Sequence, residues 1–169
     1  AAMDKVVQDL QQTIKESGIE DNTIFIFTSD HGDMLYSHGF QKKQQPFDES
    51  IRIPFLIKYP DVLKRYNRAL QLPLNAPDVL PTLLGLCDIA IPQSVEGDDY
   101  SKSLKSNKTK VDAAALISCQ IPFHQWTYKI GGREYRGLRT NRYTYVEDLD
   151  GPWLFYDNEK DPYQMNNLI

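Results

Sequence analysis

Residues 24–27 read Ile-Phe-Ile-Phe, apolar in succession rather than in alternation. That run constrains the fold more than any other stretch. A strand with one wet face alternates, whereas a strand covered on both faces by helices, as in the centre of an α/β sheet, has an unbroken apolar run. A second run, 53–59, carries Pro54 at its entrance, where a proline is tolerated. Before the first run, Met3, Val6, Val7, Leu10 and Ile14 recur at helical spacing, and Gly18 supplies a stop. A later helix is predicted after Asn75 as cap, with Pro77 in its first turn and Pro81 still in its early turns. Its apolar face is Val79, Leu80, Leu83 and Leu84. Residues 92–112 are polar and read as a surface connection with one helical turn near Leu104.

Beyond residue 112 the pattern changes. Segments 113–119, 133–139, 142–147 and 153–156 are short and rich in β-branched or aromatic residues. Thr140-Asn141 closes a hairpin, and Leu149-Asp150-Gly151-Pro152 forms the next turn. The expected architecture is therefore part of an α/β sheet domain over 1–110 and a small antiparallel sheet, covered on one face, over 111–169. At 169 residues the chain can bury roughly 70% of its unfolded surface. Its 41% hydrophobic and 25% charged residues exclude wholesale disorder. A net charge of −4 without a basic stripe argues against nucleic-acid binding. No apolar run approaches the ~20 residues of a membrane-spanning helix. Cys87 and Cys119 are too few for a disulfide framework, and each is expected to be a small buried hydrophobe; whether they pair is open.

The stretch with most chemistry is Thr28-Ser29-Asp30-His31-Gly32-Asp33, directly after the first apolar run. Ligands of open α/β sheets gather beyond the carboxyl ends of strands. Adjacent strand residues point to opposite faces, so Asp30 and His31 can serve one centre only where the strand has ended, a turn that Gly32 permits. A carboxylate oxygen beside an imidazole nitrogen suits a divalent cation. The alternative is a loop aspartate capping backbone amides next to a histidine without special role.

The order of motifs resembles the sulfatase family of the alkaline-phosphatase-like superfamily. After Thr-Ser-Asp-His-Gly-Asp come Ser37-His38-Gly39, a lysine four residues before Phe47, the acidic pair Asp48-Glu49, and Ser50-Ile51-Arg52-Ile53-Pro54 opening the next strand. Pro81-Thr82-Leu83-Leu84, the stretch from Arg136 to Tyr145, and the ending from Leu154 to Leu168 complete the likeness, which covers nearly the whole chain.

This resemblance implies a fold that is part of an alkaline-phosphatase-like α/β domain plus an antiparallel subdomain. It implies that Asp30 and His31 are ligands of a divalent cation, usually calcium in sulfatases. Lys43, favoured over Lys42 by its spacing to Phe47, would contact the sulfate oxygens. A cation and a fixed ammonium group stabilise charge as it develops on a sulfate ester. His38 is a further candidate for substrate contact, with loop hydrogen bonding as its other role. Glu49 and Arg52 are expected to form an ion pair, and His124 to pack among Pro122, Phe123 and Trp126.

The family's nucleophile is a formylglycine made within Cys/Ser-x-Pro-x-Arg. Cys87-Asp88-Ile89-Ala90-Ile91 and Cys119-Gln120-Ile121-Pro122-Phe123 do not fit it, nor does any serine. Calcium takes about six to eight oxygens, more than Asp30 and His31 offer. The chain thus resembles the carboxyl-terminal portion of a sulfatase: the whole enzyme is expected to hydrolyse sulfate esters, and this portion alone is not. The implied partner is a sulfated small molecule or glycan, and the implied place of action is outside the cytoplasm (periplasmic, secreted or lysosomal). Sheet edge left uncovered would favour self-association. Two other readings stay open: a phosphonate or phosphate ester hydrolase of the same superfamily, and a non-catalytic scaffold domain.

Overall fold

The computed structural model describes residues 2–64, 68–106 and 110–169; part of the polar connection expected at 92–112, residues 107–109, lies outside the described residues. Helix α1 (Ala2–Glu16) carries the predicted stripe, and Gly18 beyond it adopts φ +69°, the left-handed conformation that ends a helix at low cost for glycine. Strand β1 (Phe25–Thr28) follows, then α2 (Asp48–Ile51), β2 (Phe55–Lys58), α3 (Pro60–Leu63), α4 (Ala76–Leu86) and α5 (Ser101–Lys105). Four strands complete the chain: β3 (Ala114–Cys119), β4 (Tyr135–Thr140), β5 (Tyr143–Asp148) and β6 (Gly151–Asp157).

The described residues form a mixed helix and strand fold with two antiparallel sheets. In the first, β1 pairs with β2, Phe25 opposite Lys58 and Thr28 opposite Phe55. The second is a meander in the order β3-β4-β5-β6. Its faces alternate as expected: Thr144 and Val146 of β5 and Leu154 and Tyr156 of β6 are buried, while Arg136 and Leu138 of β4 are exposed. Both predicted hairpins form, the first turning at Asn141-Arg142, one residue later than expected, and the second at Leu149-Asp150, with Gly151 and Pro152 already in β6.

Four expectations need correction. The Ile24–Phe27 run is not buried on both faces: no residue of β1 is buried, because its sheet has two strands among the described residues and α1 buries none of its own side chains. A groove of about 200 Å³ lined by Met3, Val7, Phe25, Phe27 and Leu56 remains open there. Cys87 is exposed, not buried, because it caps the end of α4 where the helix reaches solvent; Cys119 is buried, and both thiols are free. Pro81 lies inside α4 rather than in its early turns, and it is fully buried. Gly32 keeps a backbone angle open to other residues, and its need for glycine is steric: a Cβ there would lie 2.0 Å from the Glu49 carbonyl oxygen.

Asn75 forms the capping box of α4 with Asp78, whose carboxylate also accepts from the Asp98 amide at 2.8 Å. The Asn75 side-chain amide donates to the Leu116 carbonyl at 2.8 Å, tying α4 to β3. The main core cluster joins Met34 and Phe47, from the loops between β1 and β2, to Cys119, Tyr135, Val146, Leu154 and Tyr156 of the larger sheet. The loops that follow β1 are thus packed on the meander.

Candidate cation and anion site

The site loop begins where β1 ends. The Gly32 amide donates to the Ser50 carbonyl at 3.0 Å and the Met34 amide to the Lys42 carbonyl at 2.6 Å, so residues 30–34 lie alongside the 42–50 segment. Asp33 accepts from the Leu35 amide at 2.9 Å, tightening the turn.

Within that loop Asp30 Oδ2 and His31 Nε2 approach to 3.2 Å. His31 Nδ1 stands 2.7 Å from the Gly32 carbonyl oxygen. A carbonyl oxygen only accepts, so Nδ1 carries a proton and donates it, which leaves Nε2 facing the Asp30 carboxylate. With a proton on Nε2 the two form an ion pair; without it, the two acceptors can share a cation. Two ligands about 2.3 Å from an ion and at right angles to it stand about 3.3 Å apart, which fits the observed separation. Desolvation is the largest influence on the Asp30 carboxyl and raises it. Bonds from its own amide and that of His31, the His31 charge and the Ser29 hydroxyl together outweigh it and hold the group below the usual carboxylate range. The carboxylate itself is 82% exposed, open to further ligands. Among the described residues no group of three or more His, Cys, Asp or Glu side chains gathers round one point. By itself the pair offers two donors of the kind a divalent cation takes.

Lys43 is half-buried and, among the described residues, makes no hydrogen bond or ion pair, leaving its ammonium group uncommitted. His38 stacks on Phe47 with ring centroids 4.1 Å apart, and its Nε2 is 3.9 Å from Glu49 Oε1. Its side chain is only 12% exposed, so the ring packs the loop.

The predicted Glu49–Arg52 pair does not form. Arg52 reaches Asp48 instead, at 3.7 Å, while Glu49 faces His38. Asp48 is chiefly held by Arg139 of β4 in a two-pronged pair, both contacts 2.9 Å, and its amide donates to Gln164 Oε1 at 2.8 Å. Gln164 is buried and donates to Thr144 Oγ1 and Asn158 Oδ1. His124 is exposed rather than packed, meeting Phe123 edge-on at 5.3 Å, because the short helical turn at His124–Trp126 turns it outward. Sequence reasoning gave no site role to Asp48, Arg139, Gln44 or Gln164, whose bonds between Gln44 and Phe123, Asp48 and Arg139, and Asp48 and Gln164 span 79 to 116 positions and leave no local signature.

A family model described as N-sulphoglucosamine sulphohydrolase, C-terminal, matches residues 36–169. The chain is 42% identical over 173 residues to an ulvan-active sulfatase from Formosa agariphila, covering 99% of this chain and 33% of that protein. It is 32% identical over 180 residues to an endo-4-O-sulfatase from Bacteroides thetaiotaomicron, covering 98% of this chain and 35% of that one. A protein solved in complex with its substrate D-glucosamine-2-N,6-O-disulfate superposes with a TM-score of 0.75 at 26% identity, covering 99% of this chain and 34% of the other. The chain spans about a third of the length of the curated relatives it matches. It belongs to the sulfatase family, in the alkaline-phosphatase-like superfamily, and corresponds to that family's carboxyl-terminal region.

Proposed function

We propose that the protein carrying this chain hydrolyses sulfate esters of a glycan, with a divalent cation, by the resemblance calcium, held in part by Asp30 and His31. Lys43 contacts the sulfate oxygens. The observation that carries this reading is the 3.2 Å approach of Asp30 Oδ2 to His31 Nε2, the ring nitrogen that the Gly32 bond at Nδ1 leaves available. Family membership and relatives named as sulfatases acting on ulvan or as an endo-4-O-sulfatase support the reaction and substrate class. The cation would polarise the sulfate, and Lys43 would hold an oxygen on which charge builds. His38, stacked on Phe47, is assigned to holding the loop. The nucleophile is formylglycine contributed from outside these residues, so this chain by itself is inactive. Action outside the cytoplasm is part of the same proposal; no helix among the described residues is long and apolar enough to cross a membrane.

The test uses the full-length protein. Sulfate release is measured from 4-nitrophenyl sulfate, sulfated glucosamines and sulfated polysaccharides, with the matching phosphate esters alongside. Asp30→Ala is expected to lower turnover at least 100-fold and to weaken cation retention measured by elemental analysis. Lys43→Ala is expected to lower turnover without loss of the cation. Wild-type rates in both variants, or faster release of phosphate than sulfate, would overturn the assignment.

A further inference from the structure

Lys43 is flanked by two residues in the left-handed region, Lys42 at φ 62° and Gln44 at φ 72°. Side-chain-bearing residues adopt that conformation at a cost and keep it only where their surroundings enforce it. No partner among the described residues holds the Lys43 ammonium group, so what the fold fixes is the Cα from which its side chain extends. Whatever fixes residues 42–44 therefore fixes that anchor point.

Two contacts come from a distant segment, the connection between β3 and β4. The Gln44 side-chain amide donates from Nε2 to the Phe123 carbonyl at 3.1 Å and accepts at Oε1 from the Phe123 amide, also at 3.1 Å. One side chain thus pairs both backbone groups of Phe123, as a neighbouring strand would. Three residues along, the Trp126 indole N–H donates to the Gln41 carbonyl at 3.1 Å, and its ring meets Phe40 edge-on at 5.3 Å. The Met34 amide on the Lys42 carbonyl closes the other side.

We infer that Gln44 is a positioning residue for Lys43: its paired bonds to Phe123, backed by Trp126, hold the lysine loop against the β3–β4 connection. This rests on the reading of Lys43 as the group that contacts sulfate. A flexible four-carbon stem places its charge usefully only from a fixed Cα, and misplacement by 1 Å can cost about 100-fold in rate.

The experiment is a double-variant cycle in the full-length protein, scored as sulfate released from whichever of the sulfated substrates above turns over fastest. Gln44→Met keeps the length of the side chain and removes both bonds; it is expected to lower kcat about tenfold. In a Lys43→Ala background the same change is expected to cost less than twofold, since no ammonium group remains to be placed. Trp126→Phe, which keeps a ring and loses the N–H, should show the same dependence on Lys43 and serves where Gln44→Met lowers the melting temperature. A full multiplicative loss in the Lys43→Ala background, or a wild-type rate for Gln44→Met, overturns the inference. A wild-type rate for Lys43→Ala, or no turnover by the parent protein, instead overturns the reading on which it rests.

Discussion

Replacing Gly32 with alanine tests the packing of the site loop directly. The added Cβ would lie 2.0 Å from the Glu49 carbonyl oxygen and 2.9 Å from its carbon, and real Cβ atoms essentially never come closer than 3.0 Å to such atoms. The Asp30–Gly32 loop and α2 must then part by about 1 Å. Both obstacles are backbone, so no side chain can swing aside. Parting them breaks the 3.0 Å bond from the Gly32 amide to the Ser50 carbonyl. Losing that bond costs about 1 kcal/mol, and forcing volume into a packed region costs about 1–3 kcal/mol more. The sum, about 2–4 kcal/mol, corresponds to a melting temperature lower by roughly 5–15 °C for a chain of this size. Thermal unfolding followed by circular dichroism measures it. Gly131→Ala is the control: its φ of +88° makes alanine strained, yet open space surrounds it, so it should lose about 1 kcal/mol. A Gly32→Ala melt within 3 °C of the parent, or no larger loss than Gly131→Ala, would refute the close approach.

Three further outcomes follow from other contacts. Arg139→Ala should destabilise by about 2–4 kcal/mol in urea unfolding, because the largely buried Asp48 carboxylate would lose its two-pronged partner and keep only the longer 3.7 Å contact to exposed Arg52; adding Asp48→Ala should recover part of the loss. Asp157 is held below the usual carboxylate range first by its bond to Arg142, so its contribution is present above the unfolded aspartate value near 3.9 and is lost as pH falls through the lower folded value. Acid unfolding should therefore ease below about pH 4, and an Asp157→Asn variant with an unchanged acid limb would count against this. The 169-residue chain should self-associate through the exposed β1–β2 face; monodisperse monomer by light scattering, with no binding of an apolar dye, would remove that expectation.

Much of the architecture was legible because it is written in short-range pattern. The stripe of α1, the Asn75-Ala76-Pro77 entry to α4 and the hairpin at Asn141-Arg142 each depend on neighbours within a few residues. The Asp30-His31 pair was legible for the same reason: two adjacent residues at a strand end are one local unit. Burial was harder to read. Whether Ile24 to Phe27 is covered depends on what lies beside the sheet, and whether Cys87 is covered depends on where α4 ends; neither is a property of the local run. Arg52 chose Asp48 over Glu49 by which carboxylate lay within reach along one helical turn. The bonds from Gln44 to Phe123 and from Asp48 to Arg139 arise only when distant segments meet, and no periodicity foretells them.

Gln164 carries a consequence for the order in which the molecule assembles. Its side chain accepts from the Asp48 amide across 116 positions of sequence while donating to Thr144 and Asn158. A growing chain on the ribosome cannot complete the start of α2 until this late glutamine has emerged. Contacts of such separation form slowly, since the entropy of closing the intervening loop is spent before any bond repays it. The turn beside the candidate site therefore becomes permanent only after the segments that follow it have folded, and it is made so by a buried side chain in a stretch without regular secondary structure.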